Sequence, residues 1–252
     1  MKKMKTTIAS YSFHGLFEEG KTDLFGYLES CKYRYHLDTA DIWNGMLVST
    51  DDDYLAKVKE ALEERQLSLV NLCVDEANIW DDDTTVRERL YQNALAHLHA
   101  AEVLGAKTVR IDAGGRGETF TAEQFDWIVK RYSEYAQRAY DNGYKVGPEN
   151  HWGPDVLPEN MVRICEAVNH PAFGVLLHFK SETDSLMAPW AMHTHISWKV
   201  AEESLKASIH MLNDCGYAGY WGVEHHSGQD KYNRVAIQLA RVREGLARIS
   251  IN

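Results

Sequence analysis

No stretch of the chain approaches the ~18 consecutive apolar residues that a membrane-spanning helix needs, so no membrane role is expected. The opening MKKMKTTIAS is basic, but no apolar h-region follows it, and no signal peptide is expected. There is no CxxC pair. Cys31, Cys73, Cys165 and Cys215 lie far apart and read as free, buried thiols of a reducing compartment, which points to a cytoplasmic protein. Basic charge is in deficit, with 27 Lys and Arg against 37 Asp and Glu. The formal net charge of −10 repels polyanions and sets nucleic acid aside as a partner. No GxGxxG follows the first apolar segment, where the residues are Ser10-Tyr11-Ser12-Phe13-His14-Gly15, so a dinucleotide fingerprint is missing. Gly114-Gly115-Arg116-Gly117 lacks the GK[ST] ending of a phosphate loop. Repeats, low-complexity tracts and linkers are absent, and nothing divides residues 1–252 into more than one domain.

What remains is an alternation of short apolar runs with longer amphipathic ones. Strands are expected over Thr6–Phe13, Tyr35–Ile42, Leu67–Val74, Thr108–Ala113, Lys145–Asn150, Phe173–Phe179, Met192–Trp198 and Tyr220–His226. Helices are expected over Asp51–Arg65, whose acidic start suits the helix dipole, and over Thr84–Leu104, which stops at Gly105. A third, Thr121–Asp141, opens on the capping-box string TAEQ, and Ala201–Asn213 and Lys231–Ile249 complete the series. The sixth unit is the weak one, since Glu182–Pro189 offers only a short helix. A strand followed by a helix roughly every 30 residues implies right-handed crossovers and a parallel sheet. Eight such units in 252 residues predict an α/β fold of the single (β/α)8 barrel kind, a TIM barrel.

Of the twelve histidines, eight follow residue 150, and His151, His178, His193, His195, His225 and His226 fall at expected strand ends. In a parallel barrel all C-terminal strand ends meet on one face, where active sites are built. Glu149 and Glu224 each follow a buried-looking strand, where a carboxylate is costly unless it is paired or bound to metal. Taken singly, each has a bland explanation, a surface glutamate or a satisfied core histidine; the convergence of four strands is what carries weight. His193 and His195 are two apart and share one strand face, toward the lumen. Carboxylates and imidazoles around an open position suit one divalent ion such as Mn²⁺, Co²⁺, Zn²⁺ or Fe²⁺ better than Mg²⁺ or Ca²⁺. His97 and His99, inside a helix, read as structural. Asp38, Asp41, Asp75, Glu76, Arg110 and Asp112 are candidate lumen groups without a distinguishing pattern. Trp152 and Trp198 stand among the strand-end aromatics whose faces would stack on the C–H side of a polyol.

The order Glu149-Asn150-His151-x-Gly153, His193-x-His195 and Gly222-x-Glu224 resembles the xylose isomerase-like barrels, the sugar phosphate isomerase/epimerase proteins. The resemblance extends over most of the chain, because the eight βα units match as well. It implies one metal ion, Mn²⁺ by preference, held by Glu149, His178, His195 and Glu224. It also implies that Glu149 and Glu224 act as base and acid on a carbon next to a carbonyl. His151, His193 and His226 would then face the substrate, and Lys199 or the Ser227-Gly228 loop would meet a hydroxyl or phosphate. One departure stands out: the family places Asp at the end of strand six, and this chain has His178 in Leu176-Leu177-His178-Phe179. Losing that negative charge shifts metal preference toward softer ions. The expected activity is a metal-dependent isomerase or epimerase of a ketose or related keto-sugar. A lyase cleaving a modified sugar or C-glycoside, and a non-catalytic barrel binding a ligand or partner subunit, are the alternatives. The resemblance further implies a homo-oligomer, dimer or tetramer, with a hetero-subunit arrangement also open.

Overall fold

In the computed structural model, which describes residues 4–180, 182–226 and 230–249, the chain builds eight parallel strands. Strand β1 (Thr6–Ile8) is followed by the short helices α1 (His14–Glu18) and α2 (Leu24–Glu29). Then come β2 (Thr39–Trp43), α3 (Asp52–Glu64), β3 (Ser68–Val74), α4 (Thr84–Leu104), β4 (Thr108–Ile111) and α5 (Ala122–Asn142). The second half runs β5 (Lys145–Gly147), α6 (Pro158–Val168), β6 (Val175–His178), β7 (Ala191–Ile196), α7 (Trp198–Glu203), α8 (Leu205–Asp214), β8 (Trp221–Val223) and α9 (Lys231–Ile249).

The strands form two continuous ladders, β2-β3-β4-β5 and β1-β8-β7-β6, and two seams close them into a TIM barrel. At the β5/β6 seam the Val146 amide donates to Ala172 O, Gly174 N to Val146 O and Leu176 N to Pro148 O. At the β1/β2 seam, where only Ala9 and Asp41 pair, a tyrosine does part of the work of a ladder. The buried Tyr27 hydroxyl donates to Ile8 O at 2.6 Å and accepts from the Asp41 amide at 2.8 Å. Buried backbone groups that lack a strand partner are costly, so this hydroxyl satisfies both sides of the gap.

Local chemistry explains the element ends. The Asp83 carboxylate caps α4 by accepting from the Thr85 and Val86 amides, and Gly105, at φ 71°, ends it. Thr121 and Gln124 form the capping box expected for α5. Strand β2 starts at Thr39 rather than Tyr35, because His36 takes a left-handed φ of 51° that breaks an extended run. Likewise β1 ends at Ile8 and turns into a 3-10 segment over Ser10–Phe13. The expected helix at Ala201–Asn213 is divided at Ser204 into α7 and α8. Helices α2 and α6 were not expected from the sequence.

Outward-facing strand residues such as Ile8, Ile42, Val109, Val175, Ile196 and Val223 pack under the helices in the main apolar core. All four cysteines are free; Cys31, Cys73 and Cys165 are buried as expected, but Cys215, at the end of α8, is exposed. Among the described residues no helix is long and apolar enough to cross a membrane.

Candidate active site

Inward-facing residues at the C-terminal strand ends enclose a cavity of about 160 Å³. Asp41, Cys73, Asp75, Arg110, Glu149 and His195 are among its walls, with Glu224, His151 and His226. The backbone that delivers Glu149 is held on two sides. Its amide donates to Asp112 Oδ1 at 3.1 Å, and the neighbouring Asn150 side chain spans the seam to β6. Asn150 Nδ2 donates to His178 O, and His178 N donates to Asn150 Oδ1 at 2.7 Å, so the amide acts as a short length of strand. Glu149 and His178 are thereby set side by side, with His178 Nδ1 3.1 Å from Glu149 Oε1.

From β7, His193 and His195 both turn inward, as their spacing predicts. Both point Nε2 at one carboxylate, Asp41 Oδ2 on β2, at 2.8 and 3.1 Å. Room for the two rings comes from Gly222 on β8, where a Cβ would lie 3.1 Å from His195 Cδ2 and 3.2 Å from His193 Nε2. Two residues on, Glu224 reaches the same face, and its Oε1 stands 3.5 Å from His195 Nδ1. Glu149 Oε1 is also 3.5 Å from that nitrogen.

His195 Nδ1 decides whether the donor set fits a metal. It is buried and has no hydrogen-bond partner among the described residues. Asp41 takes the Nε2–H, so Nδ1 is the ring atom that faces the two carboxylates, the arrangement that orients a ligating imidazole. Glu149, His195 and Glu224 offer donor atoms within 4.8 Å of one another, and so do His178, Glu224 and His226. The residues therefore fit a divalent cation.

Electrostatics keep the carboxylates ionised. Burial alone would raise Glu149, but His151, His178 and His195 around it hold it well below the usual carboxylate range. Glu224 is lowered in the same way, against burial, by His195 and by the hydrogen bond from His226. Burial pulls the His151 imidazole down, yet Glu149 and Asp112 on its two sides push it up to about 10. His195 rises well above its ordinary value for the same reason, through Glu224 and Asp41. Arg110, beneath them, pairs with Asp75 at 2.7 Å, Asp112 at 3.0 Å and Glu149 at 3.4 Å. An aromatic wall stands opposite: Tyr11 stacks on His14, meets Trp43 edge-on at 5.1 Å and lies 5.4 Å from His226.

Of the residues expected to face a substrate, His151 and His226 line this cavity. His193 lies beneath it, fully buried on Asp41. Trp152 stands at the rim, donating its indole N–H to Asp112 Oδ2. Trp198 and Lys199 are not brought to the cluster. Helix α7 begins at Trp198, capped by Ser197, and its indole packs against His225, Arg234 and Arg241 while donating to Glu202. Lys199 is exposed on the same helix. The Ser227-Gly228 loop lies outside the described residues. The lumen groups that sequence reasoning left without a pattern divide sharply: Asp41, Asp75, Arg110 and Asp112 are in or under the cavity. The available signal was a charged residue inside a buried run, as in Ala40-Asp41-Ile42 and Val109-Arg110-Ile111-Asp112.

A buried acid under the rim makes a pH prediction. Asp155 accepts from the Ala113 amide through Oδ2, and Oδ1 has no partner among the described residues. Burial first, and then Asp112, push its carboxyl well above the usual range. The folded protein thus keeps a proton that the unfolded chain releases above about pH 4, and stability falls as pH rises from there toward the folded pKa. Asp155→Asn should leave the melting temperature unchanged near pH 4 and raise it relative to the parent at pH 8. Parallel melting curves at both pH values would show neutralisation to be irrelevant.

Comparison with known proteins gives one consistent family. The model of the xylose isomerase-like TIM barrel matches residues 35–181. No curated protein matches the chain. Among solved structures, a xylose isomerase-like TIM barrel protein from Mycobacterium smegmatis, in complex with magnesium, superposes with a TM-score of 0.75 at 16% identity. That match covers 98% of this chain and 97% of the other. The 3-keto-D-glucoside 4-epimerase of E. coli gives 0.72 at 18% identity, covering 96% and 100%. A probable 3-DHS dehydratase of Bacillus anthracis gives 0.73 at 13%, covering 95% and 99%. At these identities the likeness is one of fold.

Proposed function

The chain belongs to the xylose isomerase-like TIM-barrel family, and on that premise we propose that it is a divalent-metal-dependent isomerase or epimerase of a ketose or related keto-sugar. The observation that carries the reading is the Nδ1 of His195, which has no hydrogen-bond partner among the described residues and is buried between the carboxylates of Glu149 and Glu224. Glu149, His178, His195 and Glu224 would hold the cation. When bound, it supplies a Lewis acid that polarises the substrate carbonyl and stabilises the charge that develops on its oxygen.

The chain's own groups do the rest. A C–H next to a carbonyl is a weak acid, so its removal needs an ionised base within reach. Glu149 is such a base at neutral pH because His151 and Arg110 neutralise it from behind. On the other side of His195, the proton returned to the enediolate comes from the His226 imidazolium by way of Glu224, whose Oε2 stands 2.9 Å from His226 Nε2, and solvent reprotonates the half-exposed imidazole. Delivery to the opposite face inverts the carbon, and delivery to its neighbour moves the carbonyl. Tyr11 and Trp43 cover the apolar side of the sugar and exclude water, and Asp75 and His151 take its hydroxyls.

The test is solvent exchange. The protein, loaded in turn with Mn²⁺, Co²⁺, Zn²⁺ or Fe²⁺, is incubated with a panel of ketoses and keto-sugars in D₂O, and the sugars are followed by NMR. Deuterium at the carbon next to the carbonyl, together with isomerised sugar, is expected. Release of a fragment from a modified sugar or C-glycoside, with no isomerised sugar, would replace this reading by the lyase one. No metal uptake and no exchange would leave a ligand-binding barrel.

A further inference from the structure

We propose that the keto-sugar this site takes is a glycoside: one ring reacts between Glu149 and Glu224, and a second, uncharged sugar ring lies in a cleft beside the cavity, against Trp152. The inference rests on the isomerase or epimerase reading of the same site and names its substrate class. Its starting point is a second hollow of about 120 Å³, walled by Asn78, Trp80, Asp81, Asp82, Arg116 and Trp152. These residues come from the segments that follow β3, β4 and β5, at the same end of the barrel as Glu149.

Neighbouring residues join the two spaces. His151 walls the cavity, and Trp152 walls the cleft. His151 Nε2 and Trp152 Nε1 each lie 3.0 Å from one oxygen, Asp112 Oδ2, and the two ring centroids are 6.5 Å apart. That separation is comparable with the span of one sugar ring. A substituent that leaves the reacting ring on the side of His151 therefore meets Trp152 next.

The cleft is held by specific contacts. The Trp80 amide donates to Ala113 O at 2.8 Å, and its indole N–H donates to Asp82 Oδ1 at 3.0 Å. A Cβ at Gly114, where φ is 82°, would lie 2.3 Å from Trp80 O, so only glycine lets the segment after β4 come this close. The string Gly114-Gly115-Arg116-Gly117, which is no phosphate loop, thus closes one side of the cleft and brings Arg116 to it. Carboxylates tie both indole nitrogens, Asp82 for Trp80 and Asp112 for Trp152, and so hold the two rings in place.

The lining is that of a polyol site. Trp80 is 7% exposed, with the Arg87 guanidinium 4.0 Å from its ring centroid, and serves as a wall. Trp152 is 38% exposed, and an aromatic ring left uncovered suits the C–H side of a sugar. Asp81 and Asp82 accept from hydroxyls, and Arg116 donates to them. Two carboxylates beside one guanidinium disfavour a phosphate, which is recognised by converging cations. Energy gained on a ring remote from the reacting carbon can be used in the transition state, so a truncated substrate loses turnover as well as affinity.

The experiment compares fructose with isomaltulose, maltulose and turanose, which carry glucose on different hydroxyls of that ketose, and with fructose 6-phosphate. The Mn²⁺-loaded protein is followed in D₂O, and kcat/KM for deuterium exchange next to the carbonyl is measured for each. At least one of the disaccharides should exceed fructose by about tenfold or more, and Trp152→Ala should bring that ratio close to one. A damaged fold would lower both rates and keep their ratio, so the ratio reads the cleft. Arg116→Ala, at an exposed position, should lower the same ratio. Equal rates on fructose and the disaccharides, a preference for fructose 6-phosphate, or an unchanged ratio in both variants would overturn the proposal and leave the isomerase or epimerase reading standing. No exchange with any of these sugars would count against that reading, and calorimetric titration with the disaccharides then tests the cleft by itself. Heat that Trp152→Ala abolishes supports the cleft, and no heat in the parent overturns it.

Discussion

Glu149→Gln is expected to lower turnover by on the order of 10⁴-fold, the upper range of what a positioned acid or base contributes, with the protein still folded. The substitution is isosteric but replaces an ionised carboxylate with an amide that cannot accept the substrate proton. It acts on a group with four charged or ionisable neighbours: Glu149 meets His151 and His178 at 3.1 Å, Arg110 at 3.4 Å and His195 at 3.5 Å. Metal affinity should fall with it, since one of the two carboxylates facing His195 Nδ1 is lost. Glu224→Gln should behave alike, because its Oε1 occupies the equivalent position on the other side of that nitrogen. The measurement is initial rate on the sugar identified by solvent exchange, with metal content and circular dichroism alongside. Retained turnover in both variants would eliminate the two-carboxylate mechanism, whatever the metal does.

Gly147→Ala should unfold the barrel at its β5/β6 seam. A Cβ at Gly147 would sit 1.7 Å from Gly174 O, a contact no side-chain rotation relieves because the Cβ position is fixed by the backbone and the atom it meets is a backbone oxygen. The seam has little to spare, being held by the isolated pairs Val146/Phe173 and Glu149/Leu176. Overpacking costs of 1–3 kcal/mol assume that neighbours can shift. Here the expectation is about 4 kcal/mol or more, or roughly a 10 °C fall in melting temperature for a chain of this size. Gly143→Ala is the control, since its added Cβ meets nothing within 4 Å. Its φ of 78° makes alanine cost only about 1 kcal/mol at the end of α5. Equal melting temperatures for the two variants would mean that the β5/β6 approach is looser than the backbone contact implies.

Glu149 depends on that seam twice over. The close approach of Gly147 to Gly174 brings β5 beside β6, and the Asn150 side chain then fixes the height at which Glu149 meets His178. The string Gly147-Pro148-Glu149-Asn150 is therefore one device: a glycine to close the gap, a carboxylate turned into the lumen and an amide to lock the register.

Much of this was readable from one chain. Helix α4 occupies the expected Thr84–Leu104, and α5 starts one residue inside its capping box, because caps and amphipathic faces are local properties carried by neighbouring residues. The eight strands were found by their apolar runs, and their shared direction places Glu149, His178, His195 and Glu224 at one end of a barrel. Shorter elements escaped: α2 has six residues and α6 eleven, too little sequence for a period to show. Strand lengths were overestimated at β1, β5 and β8, where extended-looking residues leave the ladder to line the cavity mouth.

The sequence by itself determined which chemical groups arrive at the mouth, since strand order and side-chain alternation follow from patterns a few residues long. Only the tertiary structure decided what each group does there. Asp41 and His195 are 154 residues apart, and no local pattern says that one carboxylate takes the Nε2–H of two histidines and turns a single Nδ1 toward Glu149 and Glu224. Trp198 and Lys199 follow the end of β7 more closely than His151 follows the end of β5. The Ser197 cap nonetheless starts a helix that carries them away, while the contacts of His151 with Asp112 and Glu149 hold it in. Position along a strand is a matter of period; the direction of a ring nitrogen is set by hydrogen bonds from strands that meet only when the barrel closes.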